Sequence, residues 1–333
     1  MKKIIALLLV LSLAFCFVAC NKDEPETPAP QGPTAPVEAE YKLAIGVALT
    51  QDAGEVANTV AAIVIDSNNK IVACRIDTLS IIATLTDGLV DANTYKTKAE
   101  QGTDYGMLTN NPYYGSSLAE WNDQAKAFET FVTGKTQAEV VGIAVDADGK
   151  TTDAALKAGC TIAISDFIKA VDNAFKSAHK VSFKSAATLT LGVSAIGTVA
   201  NNEDNQSNAI LNSLSYTADY AATVFANGKV VAAVIDSNEA TTTVEGTEFA
   251  AVTYAGTKLE QGDNYGMLTN SPYYGSSFAE WYVQAQNYAN LTVGKTAAEI
   301  SGLSTDKAEL TGVCTMYAGG YKTALEKAAS YIR

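Results

Sequence analysis

The chain has 333 residues, with 36 acidic and 23 basic side chains, a net charge of −13 and a single histidine, His179. An acidic balance of this size excludes nucleic acid and bare anionic headgroups as partners, because both would be repelled. Cys16, Cys20, Cys74, Cys160 and Cys314 are too scattered for a disulfide framework or a cysteine metal site, and one histidine supplies no zinc or haem ligand set.

Residues 1–20 read as a secretory leader: Lys2 and Lys3, an apolar run from Ile4 to Phe15 too short to span a bilayer, then Phe17-Val-Ala-Cys20. The Cys after Val18-Ala19 resembles the lipobox of bacterial lipoproteins, which implies that Cys20 is lipidated and becomes the first residue of the mature chain. Without Lys2 and Lys3, and with every acid retained, the net charge falls to −15. Residues 21–40 hold five of the seven prolines and cannot bury apolar surface, so they form an extended spacer. The expected location is the extracytoplasmic face of the cell membrane, with the membrane itself as a partner through the lipid on Cys20.

The folded part is organised around Gln101–Trp121, which returns at Gln261–Trp281 with 17 of 21 positions identical. Residues 41–180 and 181–333 therefore read as two homologous domains in tandem, each near the commonest domain size. In the first, Val60–Asp66 and Lys70–Asp77 read as strands joined by a tight turn, with Asp66 and Asp77 expected to flank turns. In the second, Ala222–Ala226 and Lys229–Asp236 flank Asn227-Gly228, a strong hairpin signal because both turn residues must accept positive φ. A third strand is expected around Ser80–Leu85 and, less clearly, around Phe249–Tyr254.

Ser117 with Glu120, and Ser277 with Glu280, have the Ser-x-x-Glu spacing of a capping box at a helix start. Leu118, Trp121, Ala125, Phe128 and Val132 then recur at helical spacing, with Trp121 and Trp281 as core anchors. Gly134 and Gly294 close these helices, and Thr136 with Glu139, or Thr296 with Glu299, caps a second short helix. This accounts for Gly134-Lys135-Thr136, which otherwise imitates a P-loop: the glycine that motif needs five positions earlier is Glu129, or Ala289 in the second copy. Cys160–Ile164 and Cys314–Tyr317 are short β-prone runs before final helices from about Ser165 and Gly319, and their cysteines are expected as buried thiols. The expected class is α+β, each domain a small mainly antiparallel sheet with helices on one face.

The loop residues carry the functional reading. Tyr105, Tyr113 and Tyr114, with Tyr265, Tyr273 and Tyr274, offer rings to stack on a planar ligand. Ser116 and Ser117, with Ser276 and Ser277, open onto a helix N-terminus that can hold an anionic group. A rigid loop that docks its own tyrosines against the helix explains the same residues.

Lys-x-Glu-Gln-Gly at 98–102, Tyr-Gly-Met at 105–107, Glu-Trp at 120–121 and Gly-Lys-Thr at 134–136 resemble an uncharacterised family of bacterial, mainly Gram-positive-type, secreted lipoproteins, which implies no activity. The hairpins with Asn-Asn-Lys-Ile at 68–71 and Asn-Gly-Lys-Val at 227–230, and Gly159-Cys-Thr-Ile-Ala-Ile-Ser165 before a final helix, are similar to the FMN-binding domain of extracytoplasmic electron-transfer proteins. That resemblance implies FMN as cofactor, esterified through its phosphate to Thr161 or Thr315. The expected function is a small-ligand-binding module, with FMN binding and electron transfer its most concrete form. The alternatives are a structural or protein-interaction surface lipoprotein and, third, an enzyme using Glu100 and Glu260 next to Thr109 and Thr269.

Overall fold

The computed structural model describes residues 37–332 apart from 53, 84, 87–88, 91–94, 115–117, 202–212, 246–247 and 271–277. The leader, most of the spacer and Cys20 lie outside the described residues. Strands β1 (Ala39–Asp52), β2 (Glu55–Ile65) and β3 (Ile71–Ile82) form an antiparallel meander. At the β2–β3 turn the Asp66 carboxylate accepts from the Asn68 and Lys70 amides at 2.8 and 2.9 Å, and Asn69 has φ of 56°. The expected hairpin is present, but β3 runs on through Ile82, so no separate strand begins at Ser80. Two-residue strands β4 (Leu85–Thr86) and β5 (Leu89–Val90) follow. Strand β6 (Val181–Ser185) pairs with the free side of β1, Ala39 opposite Ser185, giving the order β3-β2-β1-β6.

The second sheet contains β7 (Leu189–Asn201), β8 (Ser213–Ala226) and β9 (Lys229–Glu245). Asn227 and Gly228 join β8 to β9 with φ of 52° and 75°, the primed turn that their sequence demands. The segment expected as a strand around Phe249–Tyr254 is two short pieces on β9, β10 (Glu248–Phe249) and β11 (Thr253–Tyr254). The order is β10-β9-β8-β7, with β11 also on β9.

Helices α1 (Lys98–Gln101), α2 (Asn111–Tyr114), α3 (Trp121–Val132), α4 (Gln137–Val141), α5 (Ala154–Lys157) and α6 (Ser165–Lys176) follow the first meander. Helices α7 (Lys258–Gln261), α8 (Trp281–Asn290), α9 (Ala297–Ile300) and α10 (Gly319–Ser330) follow the second. Helix α6 lies on β1 and β2 and α10 on β7 and β8, with α3 against β3 and α8 against β9. Closeness is set by glycine: a Cβ on Gly46 would lie 2.1 Å from the Ala174 amide, and one on Gly192 would lie 1.9 Å from the Ala328 carbonyl. The fold is thus α+β, two antiparallel sheets each with helices on one face, as the sequence predicts.

The other faces of the two sheets pack on each other. Leu43, Ile45, Val60, Val64 and Leu79 share one buried cluster with Leu191, Val193, Tyr216 and Tyr220, so the layers run helix, sheet, sheet, helix. Within this interface the Tyr220 hydroxyl and the Asn238 Nδ2 both donate to Asn58 Oδ1, at 2.8 and 2.9 Å. The Tyr216 hydroxyl donates to the Gly54 carbonyl at 3.1 Å. Residues 38–333 accordingly form one compact unit.

Several local expectations change. Cys160–Ile164 and Cys314–Tyr317 are not strands; the first holds only an isolated bridge from Ala163 to Lys150, though the helices after them start at Ser165 and Gly319 as expected. Cys74, Cys160 and Cys314 are free and buried. Gly134 and Gly294 have φ of 83° and 82° after their helices, and the Thr136–Glu139 and Thr296–Glu299 capping boxes are both formed.

Replacing Asn58 with Leu strands the Tyr220 hydroxyl and the Asn238 amide without an acceptor and should cost about 2–4 kcal/mol, whereas Tyr220→Phe should cost about 1 kcal/mol. Urea unfolding followed by tryptophan fluorescence and by circular dichroism should show a single transition that moves as a whole. Two separated transitions would contradict a shared core.

Candidate functional site

The repeated stretch is held by its own side chains. The Glu120 carboxylate accepts from the Met107 and Leu108 amides at 2.9 and 3.1 Å, and Glu280 accepts from Met267 and Leu268 at the same distances. Gly106 and Gly266, both at φ 74°, supply the left-handed residue that turns these amides toward the carboxylate. Gln124 Nε2 donates to the Ala119 carbonyl and to Met107 Sδ, while its Oε1 accepts from both the amide and the hydroxyl of Thr161. Gln284 binds Ala279, Met267 and Thr315 in the same way.

This corrects the first capping box. Helix α3 opens at Trp121 with Glu120 in the cap position, and the Glu120 side chain holds the loop instead of the helix start. Leu118 precedes the helix and is exposed, while Trp121 and Trp281 are buried anchors. Capping boxes do form at Thr97–Glu100 and Thr257–Glu260, which occupies the two glutamates suggested for catalysis. Glu100 also pairs with Lys327 at 2.7 Å, and the Thr109 and Thr269 hydroxyls donate to the Gly106 and Gly266 carbonyls.

Asp77 does not flank a turn. It lies within β3 and accepts from the Thr78 and Ala99 amides at 2.8 and 3.0 Å, and Asp236 in β9 accepts from Ser237 and Leu259 at 2.8 and 3.1 Å. Burial pushes both carboxyls up to about 7, against the lowering effect of the Thr97 hydroxyl on Asp77, the Thr257 hydroxyl on Asp236 and these amide bonds.

A cavity of about 520 Å³ opens between the second sheet and its helices. The sheet contributes Ile196, Thr198, Thr217, Asp219 and Ser237; α7 and the following loop contribute Lys258, Tyr265 and Met267; the helix starts contribute Trp281, Gly320 and Tyr321; Lys307 and Thr315-Met-Tyr317 complete it. Trp281 Nε1 donates to the Tyr321 hydroxyl at 3.1 Å, with the rings edge to face. The Lys258 ammonium sits 5.0 Å from the Tyr265 ring centre and 5.6 Å from that of Trp281, and pairs with Glu239 at 2.7 Å. Burial works against its charge, but Tyr321, Glu239 and Asp219 outweigh it and raise the Lys258 pKa. Asp219 lies on the cavity floor, ringed by protein atoms while still open to the cavity; burial raises its carboxyl to about 6, partly offset by the Ser237 hydroxyl and by Lys258.

Two of the predicted residues, Tyr265 and Thr315, line this cavity together. Tyr105 and Tyr113 line a separate groove of about 630 Å³ in the first copy, beside Tyr95 and Lys98, and Tyr113 is 81 % exposed. Thr161 lies outside both sets. Tyr114 ends α2. Ser116, Ser117, Tyr273, Tyr274, Ser276 and Ser277 lie outside the described residues. Asp219, Lys258 and the Trp281–Tyr321 pair were not read from the sequence. The available signal was a lone carboxylate at a helix-facing position of β8 and a Gly-Gly pair opening the helix above it. Among the described residues no cluster of three or more His, Cys, Asp or Glu could hold a metal ion.

Compared with known proteins, the chain matches no family model, no curated protein and no solved structure.

Two predictions follow from the buried carboxylates and the loop clamp. Because the folded pKa of Asp77 and of Asp236 lies above the ordinary value of 3.8, their stabilising contribution is full below about pH 4 and is lost as pH rises through about 7, at about 1.4 kcal/mol per pH unit for each group. Thermal melting should therefore fall between pH 5 and pH 8, here taken as approximate limits, and less steeply in Asp77→Asn and Asp236→Asn variants. Glu280→Ala should strand two loop amides and cost about 2–3 kcal/mol, whereas Glu280→Gln, which keeps an acceptor oxygen, should cost about half as much; urea unfolding distinguishes the two.

Proposed function

We propose that the chain is an extracytoplasmic lipoprotein, anchored through Cys20, that works as a small-ligand-binding module with its ligand site in the second-copy cavity. The observation that carries this reading is the meeting of Tyr265 and Thr315 with Trp281, Tyr321, Lys258 and Asp219 around about 520 Å³ of open space. A volume of this size, walled by rings and supplied with hydroxyls and charged groups to orient a ligand, is what a small planar molecule with polar substituents needs. FMN is the most concrete candidate: its ring would lie against Tyr265 and Tyr317, and Lys307 offers a cation to an anionic group. The Thr315 hydroxyl, at the cavity wall, is better placed for phosphate attachment than Thr161, although it must first release Gln284 Oε1. Tyr105 and Tyr113 of the first copy belong to the open groove under this reading.

A second reading is favoured by the loop clamp. Glu120, Gln124, Glu280 and Gln284 give the repeated stretch a structural task in each copy, and the exposed Tyr113 would then serve a protein partner.

The absorbance spectrum and intact mass of the mature protein, purified from its own host and again after incubation with FMN, separate these readings. A flavin band with added FMN mass that disappears in Thr315→Ala supports a covalent carrier. A flavin band without added mass supports a noncovalent site. A colourless protein that takes up no FMN sinks the flavin proposal.

A further inference from the structure

The cavity floor differs between the two sheets in a way that specifies ligand chemistry. In the first sheet Thr59 stands opposite Thr78, and their hydroxyls share a hydrogen bond of 3.1 Å. In the second sheet Asp219 stands opposite Ser237. Ser237 Oγ is buried beside the Asp219 carboxylate, which it helps to keep charged, and that carboxylate opens into the cavity.

The helix above has the matching change. Residue two of α6 is Asp166, whose carboxylate takes the Thr50 hydroxyl at 3.3 Å. Residue two of α10 is Gly320, and a Cβ there would lie 2.1 Å from Asp219 Oδ2. The second copy thus keeps a carboxylate on its sheet and, on its helix, a glycine that leaves room for that carboxylate.

The Ser237 hydroxyl uses one acceptor position of the Asp219 carboxylate, whose two oxygens retain capacity for further hydroxyl donors. Charge narrows the choice of ligand. A cation placed against Asp219 would also meet Lys258 and Lys307 in the same cavity, and an anion would meet the carboxylate itself. A neutral pair of O–H donors meets neither objection, and the Tyr265, Trp281 and Tyr321 rings provide an apolar wall for the carbon skeleton that bears them.

We infer that the second-copy cavity recognises a neutral vicinal diol, with Asp219 as its acceptor and Ser237 as an added polar contact. This rests on the ligand-binding reading of that cavity but not on flavin. A saccharide ring and the polyhydroxy chain of a flavin both carry the chemistry.

The test uses the mature full-length protein in detergent and follows binding of riboflavin, maltose, N-acetylglucosamine and lumichrome by saturation-transfer NMR and titration calorimetry. Lumichrome has the flat ring system without the hydroxyl chain. At least one hydroxylated probe should bind, and Asp219→Asn and Gly320→Ala should each weaken it about tenfold or more while melting shows a folded protein. Thr59→Val, in the first sheet, should bind as the parent does. Saccharide binding without riboflavin binding upholds the diol, and the FMN uptake experiment alone then decides the flavin proposal. Equal binding by Asp219→Asn, or lumichrome binding as tightly as riboflavin, overturns the diol and leaves the cavity as a ligand site. No binding of any probe overturns both.

Discussion

The packing of one sheet on the other is the constraint on which the remaining structure depends. Every residue from Val60 to Ile65 is buried, because one side of β2 lies under α6 and the other under the second sheet. Apolar residues on both faces leave neither sheet a side that water could cover, and exposing side chains such as Leu43, Ile45 or Val64 would cost about 1.5–3 kcal/mol each. Asn58 gives this apolar interface a defined alignment. Its Oδ1 takes two donors from the opposite sheet, and a slipped arrangement would leave three polar groups buried and unpaired. At the edge, Arg75 reaches Glu129 of α3 and the Tyr331 carbonyl, so the end of the chain is tied to the first sheet.

With the sheets fixed, the repeated stretch acts as a brace between sheet and helices. Asp236 holds the start of α7, Glu280 holds the loop after it, and Gln284 holds the extended segment at Thr315. These three anchors position Lys258, Tyr265 and Thr315 around one cavity. Near-identity over 21 residues follows from such a brace. Each carboxylate or amide serves backbone groups at defined offsets, and exchange of any one leaves a buried donor or acceptor unpaired. Site preorganisation and structural clamping are therefore the same bonds.

Much of the fold was legible in the sequence wherever local chemistry fixes the backbone. Asn227-Gly228, Asp66-Ser-Asn-Asn and the Thr136–Glu139 and Thr296–Glu299 boxes are satisfied by neighbours a few positions away, so spacing alone reveals them. Strands β1 and β7 escaped because they lack such punctuation and are covered on both faces, which erases the alternation that marks a half-buried strand. Glu120 was misread for a related reason. Ser-x-x-Glu spacing is shared by a cap and by a side chain that turns back to an earlier loop, and only tertiary geometry separates them. The Ala99 amide that Asp77 holds lies 22 residues away in α1, beyond any local pattern.

Asp219 escaped for a different reason, and that reason bears on what the cavity is for. An aspartate in a strand is ordinarily read as facing water, whereas this one faces the helix layer, where burial disfavours its charge. The first sheet carries a less costly solution at the same place, two threonines whose hydroxyls satisfy each other. Keeping the carboxylate requires Gly320 above it, a residue that weakens a helix, and a buried serine beside it. Three unfavourable choices converging on one cavity floor are not what stability alone selects.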